Sequence, residues 1–256
     1  MIIDTHCHVW SFDVVEYHNK KTVHDYLRDH KIDKISMIAM NNIENVKVQK
    51  IVQAEPDKFF GFAYVDPRNI ASGIAILEEG VRAGYFRGVK MYPYFEHYNP
   101  DSRSLYPLYE ACLRLDIPLL FHMGWINIDI DASNARKGRY AHTGFPAEIG
   151  TVLEDFPCLK MILAHLGGNY YYECLTMAER FPNVYLETAW LQFYSVRFFP
   201  PVEIGRWITH ACSFIGSEKI IFGGEGVYPE DIEATPLSFA QKANILGLNA
   251  QRLLKL

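Results

Sequence analysis

Eight short apolar runs recur along the chain with amphipathic stretches between them, and this alternation constrains the fold more than any other feature. The runs are Met1 to Thr5, Ile35 to Met40, Phe59 to Val65, Phe86 to Tyr92, Pro118 to His122, Lys160 to His165, Val184 to Glu187 and Lys219 to Gly223. Several are nearly continuous in apolar residues, as parallel strands buried on both faces are. The stretches between them carry helical spacing. Leu105, Leu108, Tyr109, Cys112 and Leu113 share one helix face, as do Ile149, Val152, Leu153 and Phe156, with Pro146 near a helix start. Ile204, Trp207, Ile208 and Ala211 repeat the pattern; Ile74, Leu77 and Val81 do so with Gly84 as the stop. Thr22 and Asp25 predict a helix N-cap.

Consecutive parallel strands need a crossover, usually a helix. Eight such units predict an α/β fold, a (β/α)8 TIM barrel, as a single domain over residues 1–256. The alternative is a doubly wound open sheet. It would place a glycine-rich phosphate loop after the first strand, where this chain has His6-Cys7-His8-Val9-Trp10. At about 32 residues per strand–helix unit, the chain leaves little room for an appended domain.

Composition narrows the partners. Apolar residues make up 49% of the chain, too much buryable surface for a disordered segment. Twenty-five basic against 30 acidic residues leave a net charge of −5, which argues against nucleic acid and an anionic membrane as partners. No stretch approaches the ~20 apolar residues of a membrane span. The start, Met1-Ile2-Ile3-Asp4-Thr5-His6, lacks the features of a secretory signal. Five cysteines without a Cys-x-x-Cys pair do not suggest a disulfide framework. A cytoplasmic protein with a small-molecule substrate is expected, and a homo-oligomer is compatible with the sequence.

Barrel enzymes carry their active sites at the C-terminal ends of the strands. There this chain places His6 and His8 after strand one, Lys90 on strand four, His122 after strand five, His165 after strand six and Glu225 after strand eight. His6 and His8 are two apart on a strand, so both point to the same face. One His-x-His pair is unremarkable in a chain with ten histidines. With His122 and His165 at other strand ends, it predicts a centre for zinc, manganese or iron.

These residues resemble a known family. Asp4-Thr5-His6-Cys7-His8, Gly88-Val89-Lys90, His122, Ala164-His165-Leu166-Gly167-Gly168 and Phe222-Gly223-Gly224-Glu225 are similar to the amidohydrolase superfamily. The branch resembled is the amidohydrolase-related one of aminocarboxymuconate-semialdehyde decarboxylase, and Asn249-Ala250-Gln251-Arg252-Leu253-Leu254 matches its usual ending. The resemblance implies that His6, His8 and His122 bind one divalent metal, with zinc expected ahead of manganese. It implies His165 as catalytic base, proton shuttle or ligand to a second ion. The strand-eight acid, normally Asp, would bind metal and activate water. Glu225 holds that place and takes both the ligand and catalytic roles, although it is one methylene longer. Glu187 is a weaker substitute carboxylate. Lys90 matches the lysine that is carboxylated in binuclear relatives, or it binds a substrate carboxylate. One ion is expected rather than two.

The connection from Met123 to Thr143 is long for a barrel loop and carries Trp125, Arg136, Lys137, Arg139 and His142. A basic lid suggests an anionic substrate, with Trp125 and Arg139 as binding residues; a solvated loop is the bland alternative. Tyr92, Tyr94, Phe95 and His97 are placed to line an apolar pocket. The leading expectation is a metal-dependent hydrolase of an ester, lactone or amide, acting through activated water. The alternative is metal-dependent, non-oxidative decarboxylation of an aromatic or unsaturated acid. Relatives of that second kind tend to be longer, which favours hydrolysis here.

Overall fold

The computed structural model describes residues 1–15, 18–19, 21–96, 98–124 and 145–256. Each of the eight apolar runs overlaps a strand. They are β1 (Ile3–Asp4), β2 (Lys34–Ile38), β3 (Phe59–Tyr64), β4 (Phe86–Met91), β5 (Leu119–Phe121), β6 (Met161–Leu163), β7 (Val184–Glu187) and β8 (Ile220–Ile221). They form one sheet in chain order, every pairing parallel. The sheet curls back on itself with helices between the strands, giving the α/β TIM barrel that the alternation predicts. The last strand meets the first through Thr5, whose backbone N–H and hydroxyl both donate to the Phe222 carbonyl at 3.1 and 2.9 Å.

Burial explains why the runs are continuous rather than alternating. Every residue of β3, β5 and β6 is buried, one face toward the barrel interior and the other under helices. The helices follow their local signals. Thr22 and Asp25 form a reciprocal capping box at the start of Val23–Asp29. Pro146 opens Pro146–Asp155, where its missing N–H costs nothing. Helix Ile70–Arg82 stops just before Gly84, which takes a left-handed φ of 83°. Helix Tyr106–Leu115 ends instead on Asp116 in the left-handed region, a stop with no glycine to announce it. Among the described residues, no helix is long and apolar enough to cross a membrane.

Packing inside the barrel dictates one residue beside the site. A Cβ on Gly88 would lie 2.4 Å from the Phe62 ring and 2.9 Å from the Pro118 carbonyl oxygen. Only glycine lets β4 approach β3 and β5 this closely, and Lys90 follows two residues later on the same face. Gly88→Ala is expected to destabilise the protein by about 1–3 kcal/mol, the usual cost of overpacking. Denaturant unfolding measures this; an unchanged midpoint would show that Phe62 yields without cost.

Candidate active site and metal centre

The four strand-end histidines converge as the barrel rule requires. His6, His8, His122 and His165 line one cavity of about 110 Å³ with Glu225, Trp10, Met40, Tyr92, Phe95 and Trp190. Glu225 bridges the first two. Its Oε2 lies 3.4 Å from His6 Nε2 and its Oε1 lies 3.6 Å from His8 Nε2. One ligand atom from each of His6, His8 and Glu225 falls within 4.8 Å of the others. His122, the remaining predicted ligand, is outside that group and pairs with His165. Lys90 is enclosed behind His6, its Nζ 3.4 Å from His6 Nε2. The Tyr92 hydroxyl is 3.5 Å from His8 Nδ1.

Hydrogen bonds settle which imidazole nitrogens carry protons. His165 Nδ1 is 2.8 Å from the Ala189 carbonyl, which can only accept, so Nδ1 donates. His165 Nε2 is therefore a lone pair, and it lies 3.2 Å from His122 Nδ1, which must donate. This leaves His122 Nε2 as a bare lone pair, buried and without a protein partner. A bare buried imidazole nitrogen beside a His-His-Glu group has the donor chemistry of a divalent-metal site. The residues present fit such an ion.

Burial tunes the charges. It pushes His6, His8, His122 and His165 well below the usual imidazole range, which favours their neutral forms. It pushes Lys90 down, opposed by the charges of Glu187 and Glu225. It pushes Glu187 and Glu225 up, and Asp4 up to about 7. A cation in this cavity would compensate these crowded carboxyl groups.

The backbone bends sharply where the site residues leave their strands. His165 and Leu166 have φ of 63° and 47°, Trp190 60° and Glu225 51°. Such left-handed conformations cost about 1–3 kcal/mol each for non-glycine residues and cluster at functional sites. Buried carboxylates tie the chain at His165, whose N–H donates to Glu187 Oε2 at 3.4 Å, and beside Glu225. Asp4 Oδ1 accepts the His6 and Gly224 N–H groups at 2.9 and 2.7 Å, and Asp4 Oδ2 accepts the Tyr26 hydroxyl at 3.1 Å.

Trp125 and Arg139 lie outside the described residues, as do Arg136, Lys137, His142 and His97. Glu187 does not face the ligand side of His6; its Oε2 is 3.2 Å from His6 Nδ1, on the opposite edge of the ring. Sequence reasoning gave no role to Asp4 or Trp190. Asp4 stands inside the quoted motif, and Trp190 follows the end of β7 by three residues, so the strand-end rule reaches both. A Cβ on Gly223 would lie 1.4 Å from Glu187 Oε1, so the glycine makes room for that carboxylate. Gly223→Ala is expected to weaken Mn²⁺ binding by at least about tenfold. Titration against a competing chelator measures it, and wild-type affinity would refute the crowding.

Comparison with known proteins places the chain in a family. A family model described as amidohydrolase matches residues 3–256. The chain is similar to a 2-keto-4-carboxy-3-hexenedioate hydratase of Sphingobium sp. (strain NBRC 103272 / SYK-6), 28% identical over 202 residues. That match covers 74% of this chain and spans 58% of the hydratase's length. An uncharacterised TIM-barrel protein from Bordetella bronchiseptica superposes with a TM-score of 0.75 at 22% identity, over 99% of this chain and 98% of that one. A dihydroxybenzoic acid decarboxylase from Polaromonas sp. JS666, with bound manganese and the inhibitor 2-nitroresorcinol, superposes with a TM-score of 0.68 at 17% identity, over 99% and 96%. The expectation of a hydrolase is thereby corrected: these enzymes of stated activity, a hydratase and a decarboxylase, are lyases. Chain length misled, since the decarboxylase is matched over 96% of its own length and so is not set apart by size. The sequence motifs, the fold and the family match converge: this chain is an enzyme of the amidohydrolase family.

Proposed function

We propose that this protein is a metal-dependent lyase that removes carbon dioxide from a small, planar, aromatic or conjugated carboxylic acid. The observation that carries this reading is the aromatic wall around the imidazole–carboxylate cluster. The Trp10 ring stacks on His8 at 5.4 Å and 11°. Tyr92 lies 6.3 Å from His8, Phe95 6.3 Å from His122, and Trp190 packs its edge on His165 at 5.7 Å. Flat rings around a cavity match a flat π-system. The names of the hydratase and the decarboxylase describe unsaturated or aromatic carboxylates, which supports the same substrate class.

His6, His8 and Glu225 would hold one ion, with His122 Nε2 as a further donor. Manganese is preferred to zinc because the decarboxylase structure contains it. When bound, the ion supplies positive charge for the substrate's carboxylate and adjacent oxygen. Lys90 adds positive potential from behind His6, and Tyr92 walls the ring. Trp125 and Arg139 stay candidates for substrate contact. Loss of carbon dioxide breaks a carbon–carbon bond and leaves its electron pair on the ring or chain carbon, which must take a proton. His165 is assigned the relay: Ala189 fixes its Nδ1–H, so its Nε2, a lone pair in the resting site, takes a proton from solvent and hands it to that carbon. Because burial makes these imidazoles weak bases, the charged form is a strong acid toward carbon. Glu225, facing both His6 and His8, is assigned to holding the ion.

Hydration of a conjugated acid is the second reading, favoured by the 28% identity to a hydratase. Mn²⁺-loaded protein offered dihydroxybenzoates and conjugated keto-acids decides between them. Carbon dioxide release supports decarboxylation. Loss of conjugated absorbance without gas assigns hydration, and turnover of neither overturns the lyase reading. His6→Ala and His8→Ala are each expected to lose the metal and activity together, seen by elemental analysis. His165→Ala is expected to keep the metal and lose about 10²- to 10⁴-fold in turnover; unchanged turnover would remove His165 from the reaction.

A further inference from the structure

We propose that Glu187 is a positioning residue of the metal centre: it sets the tautomer and orientation of His6, and through them the affinity for the ion. The inference rests on the metal-dependent reading above.

The His6 ring stands between two carboxylates, one at each nitrogen. Its Nε2 faces Glu225, and its Nδ1 lies 3.2 Å from Glu187 Oε2. A carboxylate accepts, so the nitrogen that meets it must carry the proton, which leaves Nε2 as the lone pair. His6 Nδ1 is within reach of Glu187 but off the hydrogen-bond line, and it is buried with no other partner.

The surroundings hold Glu187 for this task. It is fully buried at the end of β7. Its Oε1 accepts the Ala189 N–H at 3.0 Å and its Oε2 accepts the His165 N–H at 3.4 Å. The Thr188 hydroxyl donates to the Gly223 carbonyl at 3.0 Å and accepts the Gly223 N–H at 3.1 Å, locking the two strand ends together. Gly223 lacks the side chain that would evict the carboxylate. Two backbone N–H groups thus donate to Glu187, and His6 Nδ1 lies beside its Oε2. Both oxygens must accept. Glutamine has one acceptor, so either orientation of its amide sets a donor against a donor.

The test uses Glu187→Gln, with Gly223→Ala as the second variant, because it leaves Glu187 in the chain but out of its place. Two readouts are taken on proteins whose thermal unfolding matches the wild type. Mn²⁺ affinity is measured against a competing chelator. The His6 tautomer is read by imidazole ¹⁵N NMR on metal-free protein, its signal identified by loss in His6→Ala. The expected result is a Kd for Mn²⁺ raised about 10- to 100-fold in both variants, with the His6 signal shifted away from the Nδ1–H form. Affinity within about twofold of wild type, or weaker affinity with an unchanged His6 signal, overturns the proposal. If the wild-type protein binds no Mn²⁺, the lyase reading falls, whereas the NMR comparison still decides whether Glu187 governs His6.

Discussion

The carboxylate of Asp4 is the contact on which the rest of this structure depends. The strand ladders run from β1 to β8 in order, and the barrel is joined where Thr5 and Asp4 reach across to Phe222 and Gly224. One side chain therefore accepts from His6, at the start of the site, and from Gly224, beside Glu225 at its end. These two positions are far apart in sequence yet share one oxygen atom. Burial raises Asp4 to about 7 while its hydrogen bonds oppose the shift, so the contact is costly to leave unsatisfied. A Cβ on Gly224 would lie 2.3 Å from Asp4 Oδ2 and 2.6 Å from the Tyr26 hydroxyl, so the strand-eight turn closes over this pair only with glycine there.

From that join the chemistry follows by exclusion of water. Four imidazoles are neutral because charging them in this enclosure is expensive, and neutral imidazoles are ligands. The left-handed turns at His165, Trp190 and Glu225 store strain, and buried carboxylates tie the chain at His165 and beside Glu225. Glu225 exceeds the usual aspartate by a methylene, and its left-handed backbone places that longer arm across His6 and His8 together.

Much of the barrel was legible in the sequence because strand burial leaves a chemical trace. Several of the eight runs were apolar on both faces for a reason that β3 shows directly: every residue in it is buried. The capping box at Thr22 and the stop at Gly84 were equally local. Asp116 was not, since an aspartate in a left-handed stop looks like any polar residue. In the site, His6, His8, His122, His165 and Glu225 were legible because each follows a strand, and the fold sends strand ends to one mouth. The place of Glu187 was not. Its strand position gives its proximity to His6 but not which ring nitrogen it meets, and that depends on β7 lying behind the ring. The reaction class was also misread, because chain length speaks of the barrel and not of the bond broken.

The sequence by itself determined the barrel, its mouth and a histidine set suited to a divalent ion, because period and strand-end position are local properties of the chain. Only the tertiary structure decided how the members of that set are paired. His6 and His8 share Glu225, while His122 shares a proton with His165. It also decided which nitrogens are bare, through the Ala189 carbonyl on one ring and the Glu187 carboxylate on another. These are contacts between strand ends remote in sequence, fixed by angles and distances of a few ångströms that no spacing of residues encodes.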